Sequence, residues 1–98
     1  MAALHIIASA PDVGAALQNC LRVAAPDDAI VLIGNGVYCA ASASFERIVK
    51  RSGGIRWYAL EADVVRRGIG AELGPVVAVD DAAFVDLVTA RQPIVSWS

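Results

Sequence analysis

Apolar residues in this chain fall into short unbroken runs, and between the runs they recur every three or four positions. Leu4-His5-Ile6-Ile7-Ala8 is such a run, β-branched and bounded by Ser9-Ala10-Pro11, and it predicts a buried strand. Val13, Leu17, Cys20, Leu21 and Ala24 then fall at helical spacing, which predicts a helix over about 12–24, opened by Pro11-Asp12 and stopped by Pro26-Asp27-Asp28. A second strand is predicted over Ala29 to Ile33, and Gly34-Asn35-Gly36 is a turn after it. Val37 to Arg51 predicts a helix with Ala40, Ala41, Phe45, Ile48 and Val49 inward, closed by Ser52-Gly53-Gly54. Ile55 to Leu60 is the third predicted strand. Glu61 to Arg67 is a short helix with acids at its start and bases at its end, capped by Gly68. Val76 to Val79 predicts a strand, and Asp80-Asp81 opens a helix to about Ala90 with Phe84, Leu87 and Val88 inward. Pro93 to Trp97 adds a final strand. Strands alternating with helices predict an α/β fold, a parallel sheet of four or five strands with helices on both faces.

The length of 98 residues predicts one domain over 1–98. Hydrophobic residues make up 57% of it, above the roughly 45–50% of an average soluble domain. So small a chain has little interior for that surplus, which points to a sheet covered on both faces and to apolar surface that meets a partner. Net charge is −2 with no basic stripe, which excludes autonomous nucleic-acid binding. The longest uncharged stretch, Ala29 to Phe45, is interrupted by Gly34-Asn35-Gly36, so no membrane span is expected. The start of the chain lacks the basic region of a signal peptide. Two cysteines make no disulfide framework, and a reducing, cytoplasmic setting fits them better.

In a parallel sheet, ligands gather outside the carboxyl ends of the strands. Here that edge carries Ser9-Ala10-Pro11, Gly34 to Cys39, Leu60-Glu61 and Asp80-Asp81. No G-x-G-x-x-G follows the first strand and no Walker lysine exists, so Gly34 and Gly36 read as a tight turn. One histidine and two cysteines 19 positions apart give no metal-ligand spacing. His5 lies in a predicted inner strand, where a buried hydrogen bond accounts for it better than a ligand role. Arg22, Arg66 and Arg67 read as solvated surface residues. Trp97 stands one residue from the end, so its burial requires a tail tied down or covered by another chain.

Thiol chemistry is what remains. A reactive cysteine must be a thiolate, which needs a helix N-terminus or a neighbouring cation. Cys39 falls at the predicted start of the second helix, on the ligand edge. Cys20 falls late in the first helix, in its apolar stripe, where the negative dipole end raises its pKa and a core role is the plainer reading.

The chain resembles the TusB/DsrH family over about residues 3–97. The resemblance is carried by Leu4-His5, Pro11, the segment Ala29 to Ala41, Tyr58-Ala59-Leu60, Asp63, Arg67-Gly68, Asp80 to Leu87 and Trp97. It implies a DsrE-like fold and membership of a sulfur-relay heterohexamer built from three related chains (TusBCD or DsrEFH). The implied partners are TusC/DsrF-like and TusD/DsrE-like subunits and a TusE/DsrC-like sulfur acceptor; the isolated chain could form homo-oligomers. The implied work is persulfide transfer, serving 2-thiolation of the tRNA wobble uridine or sulfur oxidation, with no metal or organic cofactor. The main persulfide cysteine of such complexes belongs to the TusD/DsrE subunit. Cys20 matches a cysteine on the first helix of DsrH-type members, although some TusB-type members lack it. Cys39 falls where members usually have alanine, and Asn35 where they usually have aspartate. Cys20 is therefore the first candidate persulfide carrier and Cys39 the second. Two other readings stand beside this one: a non-catalytic assembly subunit, and a small-ligand-binding module on a flavodoxin-like scaffold.

Overall fold

The computed structural model describes residues 2–69 and 73–97. Five strands, β1 (Leu4–Ile7), β2 (Ala29–Leu32), β3 (Arg56–Leu60), β4 (Val77–Val79) and β5 (Ile94–Trp97), form one sheet in the order β4-β3-β2-β1-β5. Every pairing is parallel, with His5 opposite Ile30 on one side and Val95 on the other. The helices are α1 (Ala16–Val23), a 3-10 helix (Gly34–Ala41), α2 (Phe45–Arg51), α3 (Glu61–Arg66) and α4 (Asp81–Ala90).

Chain direction decides which face each helix covers. The first four strands are laid down side by side in one direction, so right-handed crossovers put α1, the 3-10 helix, α2 and α3 on the same face. The connection from β4 to β5 returns across the whole sheet, and the same handedness puts α4 on the other face. The packing agrees. Ile7, Ile30, Leu32, Trp57 and Ala59 meet Leu17, Cys20, Val37, Phe45 and Val64. On the opposite face Leu4, Ala29, Val31 and Val79 meet Phe84, Leu87 and Val88 of α4. Strand β2, at the centre, is buried at all four positions, as a strand covered on both faces must be. Each fully buried Ile or Leu there contributes about 1.5–3 kcal/mol of transfer free energy.

Two predicted helices differ. The first begins at Ala16 rather than near Asp12, because Gly14 adopts φ +110° and residues 11–15 form turns, which leaves Val13 67% exposed instead of inward. The helix predicted over Val37 to Arg51 is two pieces. Its first part is a 3-10 helix that begins at Gly34; Ser42 then closes it, its hydroxyl and its N–H both donating to the Cys39 carbonyl. Ala41, predicted to face inward, is exposed. The cap at Asp80 is as predicted: its carboxylate accepts the Ala83 N–H at 2.8 Å.

Candidate functional site

At the carboxyl edge, the turn after β2 is fixed from two sides. From below, Gly36 lies so close to β1 that a Cβ there would stand 2.1 Å from the Ile7 carbonyl oxygen, so only glycine fits. From the side, Asp63 of α3 accepts the Gly34 N–H at 2.7 Å, where Gly34 takes φ +51°. Arg67 completes the clamp, donating to Asp63 at 3.4 Å and to the Asn35 side-chain oxygen at 3.1 Å. The sequence reading placed Arg67 in solvent, and it is instead largely buried, holding the 3-10 helix to α3. Its i,i+4 spacing from Asp63 is the signal that could have found it. Arg66 and Arg22 are exposed, as expected.

Cys39 is not at a helix start. It is the sixth residue of the 3-10 helix, 1% exposed, with its Sγ 3.9 Å from the Ser9 carbonyl. Burial pushes its pKa up to about 11, against the opposing pull of its own backbone hydrogen bond. The helix-start activation expected for it is therefore missing: the opening N–H groups belong to Gly34 and its neighbours, one of them spent on Asp63. Cys20 is fully buried in the face of α1 that meets the sheet. Burial first, and the negative charge of Asp28 second, push its pKa up to about 12. Both thiols are free, and in this conformation both are protonated at neutral pH.

The most connected polar group is one the sequence reading passed over as part of a helix stop. Asp28 is buried, and its carboxylate accepts the Ala3 N–H at 2.9 Å, the Ala25 N–H at 3.0 Å and His5 Nε2 at 3.0 Å. Burial pushes its pKa up, but the three hydrogen bonds outweigh that and hold it below the usual carboxylate range. Trp97 Nε1 donates to the other ring nitrogen, His5 Nδ1, at 3.1 Å. An indole N–H is donor only, so Nδ1 carries the lone pair and Nε2 carries the proton given to Asp28. His5 is thus a satisfied core histidine, as its place in the sequence suggested, and Trp97 is tied down through it. The Asp-His pair has the form of a general base, but its outward nitrogen is occupied by Trp97, with no hydroxyl or thiol in that position.

Connections leave β3 and β4 toward opposite faces, which makes the gap between their carboxyl ends the topological switch point. A groove of about 500 Å³ lies there, lined by Glu61, Ala62, Val65, Arg66, Asp80 and Asp81. It is open and acidic, and Asp80 is already engaged in capping α4. The turn at Gly34-Asn35-Gly36 is a tight structural one, as expected, with Gly36 and Val37 buried. Among the described residues no three metal-ligating side chains come together.

An all-parallel five-stranded sheet with its polar turns on one edge, and with four of the described helices on one face and one on the other, defines the class: a small α/β protein of flavodoxin-like layering. The family model for DsrH-like proteins matches residues 10–93, and the chain belongs to that family. Its fold is accordingly the DsrE-like one. The crystal structure of the YchN protein from E. coli superposes with a TM-score of 0.74 at 14% identity, over 98% of this chain and 99% of that one, a likeness of fold alone. No individual curated protein matches the sequence. Among the described residues no helix is long and apolar enough to cross a membrane.

Proposed function

We propose that this chain is a subunit of a cytoplasmic sulfur-relay assembly in which a partner, of the TusD/DsrE kind, bears the persulfide. Family membership supports the sulfur-relay part of the reading. The observation that carries the division of labour is the burial of both thiols with pKa values pushed to about 11 and about 12. In persulfide exchange an acceptor thiolate attacks the outer sulfur of the donor; a new S–S bond forms, the old one breaks, and the donor leaves as a thiolate. Neither Cys20 nor Cys39 supplies that thiolate from its present place. TusC/DsrF-like and TusD/DsrE-like chains are the proposed neighbours, and a TusE/DsrC-like protein the acceptor. The end use is 2-thiolation of the tRNA wobble uridine or sulfur oxidation. Helix α4 supports the assembly itself: seven of its ten residues are apolar, yet none is fully buried.

Intact-mass measurement tests the reading. The chain, alone and co-purified with its partner chains, is incubated with a cysteine desulfurase and cysteine. The expected result is a gain of one sulfur, about 32 Da, on the partner and none on this chain. A gain on this chain that is lost in Cys20→Ser, or in Cys39→Ser, overturns the division and makes that cysteine the carrier.

A further inference from the structure

The Asp28–His5–Trp97 chain of hydrogen bonds joins the turn before β2 to β1 and β1 to β5, and its chemistry is asymmetric. On one side the acceptor is a carboxylate held as an anion, which bonds the imidazole whether the ring is neutral or charged. On the other side the partner is an indole N–H, which has nothing to accept with. A proton arriving at Nδ1 would put two N–H groups face to face at 3.1 Å. The ion pair to Asp28 would keep His5 in place, so Trp97 is the group that must leave. Trp97 is also the less enclosed partner. It is only half-buried, and it ends a four-residue strand that, among the described residues, pairs with β1 alone.

We propose that His5 is a proton-operated latch: uptake of a solvent proton at Nδ1 releases Trp97, and with it the end of β5, from the sheet. The ionisable surroundings are few. Asp28, from the turn before β2, faces Nε2. From α1 come Cys20, coupled to Asp28, and Arg22, which is exposed. Strands β2 and β5 contribute no ionisable side chain, and α4 covers the other face of the sheet. The device is independent of sulfur transfer; its consequence is that the β1 edge, closed by β5 when His5 is neutral, becomes open to pairing when His5 is charged.

Nitrogen-15 spectra of the intact protein follow the tautomer and charge of His5, while amide exchange follows Val95, Ser96 and Trp97 in the same samples. The expected result is the Nε2–H tautomer in the closed form, in which Trp97 donates to Nδ1. Protection of the β5 amides then falls about tenfold or more in step with imidazole protonation, while β2 and β3 keep theirs. In Trp97→Phe, β5 protection is low from the start and the pH step disappears. Four results overturn the proposal: an Nδ1–H tautomer, β5 protection that does not change across the titration, a step of unchanged size in Trp97→Phe, or a His5 that stays neutral until the whole protein unfolds.

Discussion

The two faces of the sheet are built to different standards. Among the described residues, the face under α1, the 3-10 helix, α2 and α3 holds fifteen buried side chains, including both thiols. The face under α4 holds four, and every α4 side chain that touches it is only partly covered. The difference follows from topology rather than from composition. Three successive crossovers deliver their helices to one side, and one return crossover must span the other with ten residues, about 15 Å of helix. Phe84, Leu87 and Val88 are as apolar as their counterparts opposite. They have fewer neighbours because one short helix cannot roof a five-stranded sheet. The apolar surplus that stays exposed is not confined to one face: Val85 of α4 is 56% exposed, and on the other side Val13 beside α1, Val23 in α1 and Val65 in α3 are 67%, 61% and 70% exposed.

The hardest test of the well-covered face is Gly36→Ala. The added methyl would meet the Ile7 carbonyl oxygen and carbon at 2.1 and 2.8 Å, both backbone atoms of the strand. Neither can step aside without moving β1 or the 3-10 helix, so the expected loss is about 3 kcal/mol or more, read from urea unfolding. A variant with wild-type stability would show that the turn does not press on β1 as described. A matched pair comes next. Leu32 is fully buried on the strong face; Leu87 is partly buried on the weak one. Leu32→Ala is expected to cost ~2–5 kcal/mol, and Leu87→Ala about 1–2 kcal/mol in the isolated chain. Equal losses would erase the contrast between the faces. A Leu87 loss that grows when the partner chains are present would show that the weak face is completed by assembly.

How much of this could be read from the residues depends on what each feature needs. The strands and their parallel order were legible because unbroken apolar runs such as Ala29 to Ile33 leave few alternatives, and helical spacing between them implies crossovers. The split of the second helix was not legible from periodicity, since Ala40-Ala41-Ser42-Ala43-Ser44 is small enough to continue a helix or to end one. What ended it was a local bond, the Ser42 hydroxyl reaching the Cys39 carbonyl three residues back, in a segment whose start, Gly36, is seated against β1. The same limit applied at the candidate site. Cys39 read as activated only because the helix was started too near it. Asp28 read as a loop residue because two of its three partners, Ala3 and His5, lie more than twenty positions away and only folding brings them to it; the third, Ala25, is local. His5 was legible, because a lone histidine in an inner strand must find a partner or unfold the strand.

The smallest effect on the comparison concerns pH, and it belongs wholly to the strong face. Cys20 and Cys39 both have folded pKa values raised above the ordinary 9.0, to about 12 and about 11, so the folded state keeps two protons that the unfolded chain gives up. Their contribution is full below the unfolded value and is lost as pH rises toward the folded ones. At half a unit above the ordinary thiol value each cysteine should already have cost roughly 1 kcal/mol, since the unfolded state alone ionises there. Urea unfolding at pH 8 and again at pH 9.5 reads this. The double variant Cys20→Ala, Cys39→Ala should show a flat response over that interval from a lower starting stability. A wild-type response as flat as the variant's would mean that the thiols ionise in the folded chain, and the strong face would then be open to solvent at Cys20 and Cys39.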